Sequence, residues 1–226
     1  MNYIMKILFV RGYNTDLENP PDNYIYIKLF FENNNLKFDY FNYSVSENIN
    51  DVYKKLCHVI KNNKYTTLVG HSMGGGLLMK YIDEHDVTKF HKIILLMPLV
   101  YKQFLDNLFS NIPFIQYLYL IKAFFIPAHK LYNLGNILND SYNLIPVQQT
   151  VLMYKDIMLS NKKIIKNLNK NKNCVLFYAT DEQLNNIDPQ VLKKIKNKVI
   201  VNGKHECFNE FINANQFFKK FKKHLL

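Results

Sequence analysis

Short apolar runs alternate along this chain with segments whose apolar positions recur every three or four residues. The alternation predicts a parallel sheet with helices on both faces. Strands buried on both sides read as continuous apolar runs, and each parallel crossover needs a connecting helix. Ile7–Val10 is the first predicted strand and stops at Gly12. Pro20, Pro21 and Asp22 precede a helix over Tyr24–Phe31, and Leu36–Tyr43 alternates as a strand. Ser46 can cap a helix on which Ile49, Val52, Leu56, Val59 and Ile60 share one face. Thr66–Val69, Ile93–Met97 and Cys174–Ala179 read as further strands. Asp188 as N-cap and Pro189 at the first helical position open a short helix through Lys196. Val199–Val201 is the last strand. From Phe208 to the end the chain reads as a helix with Phe211, Ile212, Phe218 and Leu225 toward the core. Lys219, Lys220, Lys222 and Lys223 suit its C-terminal turns.

The stretch from Pro98 to Lys172 breaks this rhythm. It holds no convincing strand, and a structureless loop of that length is improbable in a compact domain. Phe104, Leu105, Leu108 and Phe109 keep helical spacing, and Ile112–Ile126 is dense in Phe, Tyr, Leu and Ile. Gln116 and Lys122 interrupt that run, which is too short to span a bilayer. The expectation is a core formed by 1–97 and 173–226, with a helical lid or cap insertion over 98–172. The insertion either covers an apolar pocket or packs on the core.

The candidate chemistry lies in Leu68–Val69–Gly70–His71–Ser72–Met73–Gly74–Gly75–Gly76, a Gly-x-Ser-x-Gly run between a predicted strand and a helical stretch, Leu77–Ile82. A serine hydroxyl becomes a useful nucleophile when a tight strand-to-helix turn lifts it toward a base and a set of backbone donors. Gly70 and Gly74 let that turn form. The helix N-terminus aims free N–H groups at the same point. An activated serine also needs a base and a group that orients the base. In the chain order Ser, acid, His, the acid follows a late strand and the histidine follows the last one. Cys174–Ala179 runs into Thr180–Asp181–Glu182, and Val199–Val201 runs into Asn202–Gly203–Lys204–His205. Of seven histidines, only His205 follows the final strand within a glycine turn. Asp181 is the expected acid, with the adjacent Glu182 as its competitor. The expected oxyanion donors are the backbone N–H of Met73 and that of Tyr13, where Gly12 permits the close turn. His71 is expected to pack beside the turn rather than act as the base.

These residues resemble the α/β-hydrolase superfamily. Gly70–His71–Ser72–Met73–Gly74–Gly75 and the run His205–Glu206–Cys207–Phe208–Asn209–Glu210 are similar to the monoacylglycerol lipase and lysophospholipase branch. The resemblance implies an α/β-hydrolase fold, here with a mostly parallel sheet of about six strands and without the first two strands of the full fold. It also implies a lid in the slot taken by 98–172, and hydrolysis of carboxylic esters of lipids through a Ser72 acyl-enzyme. Two departures stand out. Arg11–Gly12 replaces the His-Gly of the branch's oxyanion loop, which keeps the backbone donor and changes the side-chain contacts. Asn42–Tyr43–Ser44 stands where an Asp-x-Arg-Gly-x-Gly-x-Ser turn is common. Thioester hydrolysis or acyl transfer on the same triad, and a silent binding protein on a hydrolase scaffold, are the alternatives.

Composition narrows the setting. At 226 residues and 48% hydrophobic, the chain suits one domain with a sizeable core, not a disordered or fibrous protein. Abundant Asn and Lys with a single arginine, Arg11, suggest an AT-rich genome, viral or parasitic. The net charge of +11 is spread over scattered lysines without an arginine cluster. It therefore reads as a solvated surface or a peripheral contact with anionic membrane, and not as a nucleic-acid site. Cys57, Cys174 and Cys207 are odd in number and read as free thiols of a reducing, cytoplasmic compartment. No metal spacing, cofactor motif or signal peptide is evident. The expected partner is a small-molecule or lipid ester.

Overall fold

The computed structural model describes residues 5–12, 24–43, 47–99, 157, 159–182, 187–209 and 211–226. Six strands pair in the order β2-β1-β3-β4-β5-β6, every neighbouring pair parallel. They are β1 (Lys6–Val10), β2 (Lys37–Phe41), β3 (Thr67–His71), β4 (Lys92–Leu96), β5 (Cys174–Ala179) and β6 (Lys198–Val201). Between and after them run α1 (Ile25–Asn33), α2 (Ile49–Asn62), α3 (Met73–Glu84), α4 (Asn161–Lys170), α5 (Pro189–Lys194) and α6 (Phe211–Leu225).

Topology follows from the hand of the crossovers. The connection from β1 to β2 moves one way across the sheet and every later one moves the other way. Right-handed crossovers then put α1 on one face and α2 to α5 on the opposite face. The buried clusters divide accordingly. Ile49, Val52, Leu56 and Ile60 of α2, Leu77 and Leu78 of α3, and Ile164 and Leu168 of α4 pack under Leu8, Leu68, Ile93 and Leu176. Ile27 and Phe31 of α1 join Phe217, Phe221 and Leu225 of α6 over Ile7, Phe9, Val69, Ile94 and Phe177. Much of the chain's phenylalanine is used in this second layer. Phe30 stacks on Phe218 at 5.0 Å between ring centroids, and Phe217 on Phe221 at 5.5 Å. Such pairs add about 0.5–1.5 kcal/mol each beyond the area they bury.

The reversal of direction at β1 leaves a crevice beyond the carboxyl ends of β1 and β3, where open parallel sheets bind ligands. Gly12 and Ser72 both sit there, one residue or two past their strands.

Several boundaries differ from the sequence reading. Asn48 caps α2, its side chain accepting from the Asn50 N–H at 2.9 Å, and Ser46 lies outside the described residues. α5 starts as expected, with the Asp188 carboxylate accepting from the Gln190 N–H at 2.7 Å, and it ends at Lys194. α6 starts at Phe211, and Phe208 sits in the preceding turn, fully buried. The core side of α6 is carried by Phe217, Phe221 and Leu225, with Phe218 half-buried; the side chains of Phe211 and Ile212 lie outside the described set. α4 falls within the interval 98–172, yet it packs against α3 and β5 as part of the core. The expected lid helices around Phe104–Phe109 and Ile112–Ile126 lie outside the described residues. Cys174 and Cys207 are buried free thiols and Cys57 is half-buried. Burial pushes the Cys174 thiol up to about 12. Among the described residues no helix is long and apolar enough to cross a membrane.

Candidate active site

Ser72 is the residue at which β3 turns into α3, and its backbone is strained, with φ 51° and ψ −118°. A non-glycine residue held there costs about 1–3 kcal/mol and persists only when its surroundings over-determine it. Three hydrogen bonds do so. The Ser72 N–H donates to the Leu96 carbonyl at 2.9 Å, and the Ser72 carbonyl accepts from Gly76 at 3.0 Å and Leu99 at 2.8 Å. The ends of β3 and β4 thus lace the turn in place, and Ser72 itself is half-buried.

The glycine run has a packing reason. A Cβ on Gly74 would lie 2.1 Å from the Val10 carbonyl oxygen and 2.4 Å from that of Arg11. Glycine in a helix costs about 1 kcal/mol relative to alanine. Here that cost lets the first turn of α3 rest directly on the end of β1. The residue after Met73 is thereby packed directly on the chain that follows β1. Gly12, in that loop, has no room for a Cβ either: it would meet the Tyr24 hydroxyl at 2.9 Å and the Ser72 Cβ at 3.0 Å. Tyr13, the expected second donor, lies outside the described residues.

Arg11 explains how this loop is held without the family's histidine. It is fully buried; its Nη2 donates to the Tyr43 carbonyl at 2.8 Å, and the Tyr43 hydroxyl donates to the Arg11 carbonyl at 3.0 Å. The reciprocal pair staples the loop after β1 to the loop after β2.

His205 and its carboxylate come together after the last two strands. The Thr180 N–H donates to the Val201 carbonyl at 2.9 Å, and the Asp181 N–H to the Gly203 carbonyl at 3.0 Å. Gly203, at φ 110°, makes the turn that only a glycine adopts readily. These bonds extend the β5–β6 pairing past the strands. They send the Asp181 side chain to solvent and turn Glu182 inward. Glu182 Oε2 lies 2.8 Å from His205 Nδ1, and both residues are buried, at 6% and 8% exposure. The expected pairing of Asp181 with His205 is therefore corrected: Glu182 holds the imidazole. An ionised carboxylate only accepts, so Nδ1 is the donor, and in the neutral imidazole the lone pair then lies on Nε2. A histidine in that tautomer can take a proton from a hydroxyl.

His71, next to Ser72, lies against His205 with ring centroids 4.8 Å apart. It is fully buried, as is Tyr24, whose hydroxyl is 2.8 Å from His71 Nδ1 and accepts from the Gly12 N–H at 2.8 Å. Phe208 packs its ring on both. Tyr24 and Phe208 were not expected at the site. Tyr24 reads as the start of a helix and Phe208 as an apolar helix residue, so only their three-dimensional packing on His71 reveals them.

Burial first, and then the neighbouring His205, hold the His71 imidazole well below the ordinary histidine value of 6.5; the hydrogen bond to the His205 carbonyl pulls the other way. A histidine kept neutral in the folded state takes up its proton on unfolding. The unfolded chain then binds more protons below about pH 6.5, and stability falls as the pH drops through that point, by at most about 1.4 kcal/mol per unit. Thermal melts between pH 7 and pH 5 should show this decline, and the slope should flatten in His71→Phe. An unchanged slope in that variant would remove His71 as its source.

No protein-family model and no curated protein sequence matches the chain. Solved structures do. A monoacylglycerol lipase from Paleococcus ferrophilus superposes with a TM-score of 0.56 at 15% identity, over 97% of this chain and 93% of its own. An esterase from Exiguobacterium antarcticum gives 0.60 at 14% identity, over 98% and 91%. A bromoperoxidase from Bacillus anthracis gives 0.61 at 12% identity, over 98% and 91%. At these identities the likeness concerns architecture, and one architecture hosts different chemistries. With its parallel six-stranded sheet and helices on both faces, the chain has the α/β-hydrolase fold.

Proposed function

We propose that this protein is a serine hydrolase that cleaves carboxylic esters, of acyl lipids such as monoacylglycerols or lysophospholipids, through an acyl-enzyme on Ser72. One observation carries the reading: a strained serine at the start of α3 follows His71, whose ring lies 4.8 Å from that of His205, itself paired with a buried glutamate. Strain of this kind is retained where a side chain must be presented. Ester chemistry is also what the lipase and esterase neighbours are named for.

In the proposed reaction the Ser72 hydroxyl attacks the ester carbonyl carbon while His205 Nε2 takes its proton. Negative charge gathers on the former carbonyl oxygen, which the N–H groups of Met73 and Tyr13 stabilise. Glu182 stabilises the imidazolium and keeps its ring in place. The tetrahedral species expels the alcohol, which leaves with the proton from His205. Water, deprotonated by the same Nε2, then attacks the acyl-enzyme and releases the carboxylic acid. The insertion 98–172 supplies the lid over the acyl chain in this reading, and no metal or organic cofactor takes part.

Hydrolysis of p-nitrophenyl esters of graded acyl length tests turnover and pocket depth together. Wild-type protein should hydrolyse them, favouring medium or long chains, and Ser72→Ala should lose at least about 10⁴-fold in kcat. Absence of turnover at every chain length, or equal rates in Ser72→Ala, would overturn the reading.

A further inference from the structure

We infer that Tyr24 and His71 are positioning residues that set the spacing between the oxyanion loop and the general base, an inference that rests on the hydrolase reading above. Four groups form one chain of hydrogen bonds across the crevice. The Gly12 N–H donates to the Tyr24 hydroxyl oxygen at 2.8 Å. That hydroxyl lies 2.8 Å from His71 Nδ1, and His71 Nε2 lies 3.3 Å from the His205 carbonyl oxygen.

The two ends constrain the protons between them. A backbone N–H can only donate, so the Tyr24 oxygen accepts at one end and keeps its own proton available for His71 Nδ1. A backbone carbonyl can only accept, so His71 carries its proton on Nε2. Both conditions are met together by one neutral tautomer of His71. Burial and the neighbouring His205 favour that neutral form. A charged His71 would need protons on both nitrogens, could no longer accept from the Tyr24 hydroxyl, and would repel the imidazolium that forms on His205 during catalysis.

The chain joins the two halves of the proposed machinery through their backbones. Gly12 immediately precedes Tyr13, the expected oxyanion donor, and the carbonyl that His71 binds belongs to His205 itself. Neither Tyr24 nor His71 has to touch substrate. Their effect is to hold two loops that are 193 residues apart in sequence, read from positions 12 and 205, at one separation. The closeness of packing supports this role. A Cβ on Gly12 would lie 3.2 Å from His71 Nδ1, so the loop rests on the relay itself. Buried polar chains of this type are coupled, because the two middle members, Tyr24 and His71, each donate one bond and accept another.

Removing one hydroxyl tests the inference. Tyr24→Phe keeps the ring that packs on Phe9, His71 and Phe208 and deletes only the link. The expected result is a fall in kcat of roughly 10- to 100-fold with little change in KM, since a misplaced donor or base weakens the transition state more than the bound ester. ¹⁵N NMR of histidine-labelled wild-type protein should show His71 neutral, protonated on Nε2, with Nδ1 hydrogen-bonded. In Tyr24→Phe the Nδ1 signal should move to the position of an unbonded pyridine-type nitrogen. Wild-type kcat in Tyr24→Phe, or His71 protonated on Nδ1 in the wild type, would overturn the inference while the hydrolase reading stands. A wild-type protein inert to acyl esters and to fluorophosphonates would overturn the hydrolase reading first.

Discussion

Glu182→Gln is expected to lower kcat by about 10³- to 10⁴-fold, and Asp181→Asn to leave it within about twofold. The difference follows from where the turn after β5 sends two adjacent carboxylates. Glu182 is buried with Oε2 at 2.8 Å from His205 Nδ1, whereas Asp181 is exposed and contributes its backbone N–H to the Gly203 carbonyl. An amide at position 182 can present its NH₂ to Nδ1, which would move the ring proton to Nε2 and remove the lone pair that receives the Ser72 proton. It also cannot neutralise the imidazolium. KM should change little in either variant, because neither side chain is placed to hold the ester. Steady-state hydrolysis of one aryl ester by the two variants decides it; a large loss in Asp181→Asn with Glu182→Gln near wild type would reverse the assignment.

Gly74→Ala should destabilise the fold by about 3 kcal/mol or more, enough to move a large fraction of a typical domain's stability. The added methyl would press on two backbone carbonyl oxygens, those of Val10 and Arg11, and neither can rotate away as a side chain could. Relief requires α3 to lift off the end of β1, which would also withdraw the Met73 N–H and relax the Ser72 turn. Denaturant melts should show a lower midpoint, and any folded fraction should have lost activity. A midpoint equal to the wild type would mean that α3 has freedom the close approach denies.

The sheet and its helices were legible because burial on both faces writes itself into the sequence. Ile93–Met97 and Cys174–Ala179 have no other reading, and the second of these matches β5 residue for residue. The serine turn was legible for a different reason: a strained strand-to-helix junction demands glycine where backbones touch, and Gly70 and Gly74 answer that demand. The carboxylate was not. Asp181 and Glu182 are neighbours of the same charge, and what separates them is the pairing of Thr180 and Asp181 with Val201 and Gly203, some twenty residues later. Tyr24 was hidden in the same way. Its helix was readable after Pro20, Pro21 and Asp22, but its hydroxyl matters only because the fold brings it to His71. Asn48 displaced Ser46 as the cap of α2 since both residue types cap well and the choice lies in where the chain turns.

The central claim is that Ser72 is the nucleophile, and covalent mapping tests it most directly. Wild-type protein treated with a long-chain alkyl fluorophosphonate should gain the mass of one adduct, and peptide sequencing by mass spectrometry should locate it on Ser72. Ser72→Ala should gain none, and Glu182→Gln should react far more slowly. An unmodified wild-type protein, or an adduct that persists in Ser72→Ala, would contradict the account.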